Sequence, residues 1–113
     1  MYKNDLMRVD HILDAAREVI DFTRNREKSD LEKDRLLNLG AVRLLEIIGE
    51  AARGISQEFK DRHPGVAWKQ MAGMRDRLIH GYYDVNLDVV WETISQDLPL
   101  LIEQLEKIKK QER

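Results

Sequence analysis

The chain has 113 residues, enough for one hydrophobic core and too few for two, so residues 1–113 are read as a single domain. Apolar residues make up 42% and charged residues 35%, which implies a real core under a heavily charged surface. Six Gly and two Pro are too few for a fold of many turns, and the absence of Cys excludes disulfides, thiolate metal sites and a cysteine nucleophile. The net charge of −2 argues against affinity built on long phosphate tracking. Any nucleic-acid contact is therefore expected to be local and brief, or to come from a basic patch that assembly creates. Met1–Asp5 lacks the apolar centre of a signal peptide, and no apolar run approaches the ~20 residues that span a bilayer. A cytoplasmic protein without membrane contact is the expectation.

Taken in chain order, Asn4 is a suitable N-cap, and Leu6, Val9, Ile12, Leu13, Ala16, Val19 and Ile20 recur at helical spacing. This first helix should fade between Thr23 and Arg26, with the charged stretch Arg24–Lys28 as a loop. Ser29-Asp30-Leu31-Glu32 has the form of a capping box and opens a second helix running to about Ile55. Its apolar stripe is wide enough to be buried on two sides, against the core and against a partner. Gly40, Gly49 and Gly54 each cost about 1 kcal/mol in a helix interior, and close helix packing is one reason to keep them. His63-Pro64-Gly65 breaks the chain. A third helix follows, from about Ala67 to Ile79 or His80, with Gly81 as C-cap. Asn86 caps a last helical region from Leu87 to about Lys110, which Pro99 should kink or split, with Asp97 as cap of a restarted fifth helix. The sum is all-α: four or five helices in an up-and-down bundle.

The third helix carries the chemistry. At about 100° per residue, Trp68, Met71, Ala72, Leu78, Ile79 and Tyr82 share one face, and Arg75 falls in its middle. A guanidinium there needs either a carboxylate across the core or an anion supplied by a second surface. His80 lies on the polar flank, roughly 140° from Arg75 on a regular helix. Asp76, four residues earlier, would neighbour His80, favour its imidazolium and orient the ring. The plainer alternative is a C-terminal helix histidine interacting with the helix dipole.

Arg75, four intervening residues, His80, one residue and Tyr82 match the R-x4-H-x-Y motif, and the run resembles HepT-like HEPN ribonuclease toxins. The likeness extends to Leu44–Ala52, Pro64–Trp68, Asp84–Trp91 and Asp97–Pro99, in order and over nearly the whole chain. It implies the HEPN fold, assembled as a homodimer, and a metal-independent endoribonuclease needing no cofactor. His80 would deprotonate the ribose 2′-hydroxyl or protonate the leaving 5′-oxygen, Arg75 would stabilise the phosphorane-like transition state, and Asp76 would support them. The products would carry a 2′,3′-cyclic phosphate or its hydrolysis product. The implied partner besides RNA is a minimal nucleotidyltransferase antitoxin that transfers AMP from ATP onto Tyr82. Tyr83 is the less suited acceptor, because the motif places Tyr two residues after His. The competing reading is a non-catalytic HEPN module that binds nucleotide or docks a nucleotidyltransferase.

Two-fold assembly has independent support, since acid-base cleavage wants two proton-transfer groups and this region offers one His. On a regular helix Arg75 and His80 also point apart, so the site needs local unwinding near Gly81, inward-curling side chains or a second protomer. The second protomer is the expectation. Elsewhere, His11 reads as an ordinary helix residue and His63 as a solvated turn residue, with no metal-ligand spacing among the three His. Glu46 and Glu50 read as solvated or salt-bridged, with Glu50 or Arg43 as weaker candidates to support Arg75. Lys60, Arg62, Lys69 and Arg77 could form a modest RNA-facing patch, with plain solvation as the default. Residues 106–113 are expected to fray.

Overall fold

A computed structural model describes residues 2–80 and 84–112. Their order is α1 (Lys3–Phe22), α2 (Lys28–Lys33), α3 (Arg35–Arg53), α4 (Gln57–Arg62), α5 (Trp68–Ala72), α6 (Met74–Leu78), β1 (Ile79–His80), β2 (Asp84–Val85), α7 (Leu87–Glu92), a π turn (Thr93–Asp97) and α8 (Leu98–Glu112). The fold is an all-α bundle. The two-residue strands form the sole sheet among the described residues, and no described helix is long and apolar enough to cross a membrane.

The long helices follow the apolar spacing. Val9, Ile12, Leu13, Ala16 and Val19 of α1 are buried against α3 and α8. Asp5, also buried, accepts hydrogen bonds from the Ser56 backbone N–H and hydroxyl, both at 2.7 Å, so its carboxylate is a structural anchor. On its other side α3 receives α5 and α6. That approach depends on Gly49: a Cβ there would sit 2.8 Å from the Met71 carbonyl oxygen and 3.1 Å from the Met74 Cβ.

Several boundaries differ from the sequence reading, each for a local reason. The capping box is Glu27 with Asp30, not Ser29 with Glu32, because Lys28 is already helical and Asp30 is therefore the third helical residue. The expected second helix is divided at Asp34, whose backbone is extended and whose carboxylate accepts from the Leu37 N–H at 3.1 Å. Arg26 donates to the same carboxylate at 2.9 Å and fixes the break. A short helix, α4, lies where the sequence reading has none; Ser56 caps it by accepting from the Phe59 N–H. Asn86 does cap α7, accepting from the Val89 N–H at 3.2 Å. Pro99 is the second residue of α8, inside one continuous helical run, and the departure from α geometry comes directly before it in the π turn. Asp97 therefore ends that turn and caps no fifth helix.

The expected frayed tail is helical to Glu112, and His63 is not solvated. The His63 and Glu112 side chains are 10% and 8% exposed, with His63 Nε2 2.7 Å from Glu112 Oε2. The His63 ring lies 4.9 Å from that of Phe59, and Arg62 donates to both Glu112 oxygens. The hydrogen bond from His63, with that from Arg62, holds the Glu112 carboxyl below its ordinary range despite the opposing effect of burial.

Two predictions follow from these contacts. Gly49→Ala forces backbone apart and should destabilise the protein by about 1–3 kcal/mol, whereas Gly40→Ala meets only the partly exposed Phe22 ring, which can swing aside. Urea unfolding should therefore rank Gly40→Ala at or above wild type and Gly49→Ala clearly below. Because the folded Glu112 pKa is depressed, its contribution is complete above the unfolded value of about 4.3 and is lost as pH falls through the lower folded value. Thermal scans should show wild type more stable than Glu112→Gln at pH 7, with the gap closing below about pH 4.

Candidate active site

The motif segment starts from an anchored end. Trp68 Nε1 donates to the His63 carbonyl at 2.8 Å, and α5 then runs five residues before Gly73 interrupts it. Arg53 of α3 donates through Nε to the Ala72 carbonyl at 2.9 Å, satisfying an acceptor left open at the end of α5. In α6, Met74 and Leu78 turn inward at i and i+4, leaving Arg75, Asp76 and Arg77 exposed.

This corrects the placement of Arg75. A continuous helix from Ala67 would set it amid the apolar face, but the break at Gly73 resets the register. The Arg75 side chain is 68% exposed, and its Nε lies 3.8 Å from Glu46 Oε2 on α3. That is an ion pair beyond hydrogen-bond length. The two residues line a small cleft of about 120 Å³ with Gly49, Glu50, Arg53 and Ala72. Glu50 is paired with Arg43 at 3.1 Å, so of the two carboxylates it is Glu46, the less exposed, that meets Arg75. The sequence reading set Glu46 aside; its signal was the three-residue and seven-residue spacing to Gly49 and Arg53, which puts all three on the side of α3 that faces the motif.

The helix does not reach His80. It ends at Leu78, Ile79 is extended (φ −122°, ψ 124°), and Ile79–His80 pairs antiparallel with Asp84–Val85. The Asn86 N–H closes the segment on the Leu78 carbonyl at 2.7 Å. Unwinding thus begins two residues before Gly81. The i, i+4 helical relation between Asp76 and His80 does not hold, and the residue opposite His80 in register is Asp84, which the sequence reading passed over. Gly81, Tyr82, Tyr83 and the His80 side chain lie outside the described residues, so the motif tyrosine is placed by sequence alone.

The four-residue basic patch is divided. Arg62 is engaged by Glu112, Lys60 and Lys69 line one cleft, and Arg77 lines another. Among the described residues no three His, Asp or Glu side chains gather as a metal site. Chemically, the motif segment offers an accessible guanidinium loosely held by one carboxylate, with a histidine five positions later on extended backbone. That set suits an anionic, transiently bound substrate better than a permanent ion.

Comparisons with known proteins agree on one family. A sequence model described as "Ribonuclease HepT-like" matches residues 12–108. A protein named "Putative RNase" from Caldanaerobacter subterraneus subsp. tengcongensis is 41% identical over 93% of this chain and 94% of its own. One named "Probable ribonuclease HepT" from Thermococcus cleftensis is 39% identical over 90% of this chain and 93% of its own. Another named "Putative RNase" from Methanocaldococcus jannaschii is 35% identical over 84% of this chain and 87% of its own. No solved structure matches. With the match spanning α1 to α8 and enclosing Arg75 and His80, the chain belongs to the HepT-like ribonuclease family.

Proposed function

We propose that this protein is a metal-independent endoribonuclease that cuts RNA by attack of the ribose 2′-hydroxyl on the neighbouring phosphodiester. The observation that carries the reading is the accessible Arg75, held by Glu46 at 3.8 Å, five residues before His80 on a segment that leaves helical geometry at Ile79. Arg75 has donors to spare for the non-bridging oxygens, whose charge grows in the phosphorane-like transition state. His80 takes the 2′-hydroxyl proton or returns one to the departing 5′-oxygen. Asp76, exposed on the same short helix, adds acceptor capacity beside Arg75 rather than a helical contact to His80.

The active species is a homodimer in which two copies of His80 share one cleft as base and acid. Support comes from the outer face of α3, where Leu36 and Leu39 are 77% and 50% exposed in line with Arg43. Exposed leucines in such a row are what a second apolar surface would cover. The protein works as the toxin of a toxin–antitoxin pair, and a nucleotidyltransferase antitoxin silences it by adding AMP to Tyr82. Anionic nucleotide two residues from His80 repels and obstructs the RNA phosphate.

In EDTA, wild type should degrade total RNA while Arg75→Ala and His80→Ala each lose about a hundredfold or more in rate. A folded wild type, unmodified at Tyr82, that cuts nothing would make a docking module the better reading. Leu36→Glu with Leu39→Glu should shift sedimentation to monomer and abolish cleavage with the fold intact. Cleavage by that monomer at the wild-type rate would refute the shared site. Tyr82→Phe should escape silencing by the nucleotidyltransferase with ATP, read as persistent cleavage.

A further inference from the structure

The motif helix has a second face that this reaction leaves unused. Arg75 and Arg77 are two residues apart, about 200° round a helix. While Arg75 meets α3, Arg77 lines a cleft of about 390 Å³ between α5–α6 on one side and the π turn with α8 on the other. The floor is apolar: Met71, Met74, Leu98 and Leu101 line it and are buried. Arg77 and Asp97 stand at its rim, both exposed and neither in an ion pair among the described residues.

The π turn explains where Asp97 stands. It lies seven residues after Val90 and four before Leu101, both buried, so an unbroken α-helix would turn it inward with them. The wider i→i+5 turn at Thr93–Asp97 rotates the carboxylate outward to the cleft. Such turns are frequent at functional sites. This one sets an acceptor-only group on the rim of the apolar floor that also carries a donor-only guanidinium.

A flat ligand with donors on one edge and acceptors on another would use both kinds of group, and the cleft is in the size range of small-ligand pockets, about 300–1,000 Å³. Among RNA bases, guanine matches. Its N1–H and N2–H₂ donate to a carboxylate, and its O6 and N7 accept from a guanidinium. Adenine presents an acceptor at N1 where guanine presents a donor, and the pyrimidines lack N7. We propose that this cleft binds a guanine base of the RNA strand whose phosphate lies at Arg75, so that α6 reads a base on one face and holds phosphate on the other. The RNA origin of the guanine rests on the ribonuclease reading; guanine binding itself does not.

The test titrates the whole protein, labelled with carbon-13 at the methionine methyls, with 5′-GMP, AMP, CMP and UMP. The Met71 and Met74 methyl signals should shift with GMP while that of Met7 stays still, and GMP should bind about tenfold or more tightly than the other three. Arg77→Ala and Asp97→Ala should each weaken GMP about tenfold or more, with circular dichroism unchanged. Cleavage sites mapped on a mixed-sequence RNA should cluster at a fixed distance from guanines in wild type and lose that bias in Asp97→Ala. Shifts of equal size and affinity for all four nucleotides, or none at Met71 and Met74, would overturn the proposal. GMP binding by a protein that cuts no RNA would support the cleft and count against the ribonuclease reading alone.

Discussion

The close approach of α3 to the motif segment at Gly49 is the constraint on which the candidate site depends. Met71 contributes a backbone oxygen and Met74 a Cβ at distances that a side chain on residue 49 would occupy. Bringing α5 and α6 this near lets Arg53 close the end of α5 and sets Glu46 beside Arg75. A few tenths of an ångström between these helices therefore bears directly on the guanidinium proposed to meet phosphate. The glycine's cost in helix propensity is offset by a contact that two opposed side chains could not make.

The motif helix itself is short. Five residues allow little internal hydrogen bonding, and α6 is held mainly by burying Met74 and Leu78. Its early end leaves His80 on extended backbone, freeing the imidazole-bearing residue from a helical position that would point it away from Arg75. The fold thus puts its long regular helices in α1, α3 and α8 and leaves the candidate site on short segments between them. Positions of function are commonly carried on such segments by a rigid scaffold.

Much of this was legible in the sequence, and the failures are of two kinds, local breaks in a helix and pairings between distant residues. The apolar spacing of Val9 to Val19 gave α1, Asn86 gave the start of α7, and the Arg75–His80–Tyr82 spacing with its flanks pointed to the family. Arg75 was misplaced because helical periodicity was carried across Gly73, and one break displaces every later residue on a wheel. Asp34 was read as helix interior although a carboxylate able to cap Leu37 competes with continued helix. The burial of His63 depends on Glu112, 49 residues away, which no local pattern reveals. Glu46 was discounted for a similar reason: its partner Arg75 lies on another helix. Long-range pairing of charges, rather than helix content, was what the one-dimensional pattern could not supply.

The central claim is chemical: Arg75 and His80 serve an internal 2′-hydroxyl attack. The nature of the RNA ends distinguishes that path from hydrolysis by an activated water. Fragments made by the purified protein in EDTA should carry 5′-hydroxyl ends and 2′,3′-cyclic phosphates, or the monophosphates those open to, and a substrate with a 2′-deoxyribose before the scissile phosphate should resist cleavage there. Products with 5′-phosphate and 3′-hydroxyl ends, or unimpaired cleavage at the deoxy position, would contradict the account.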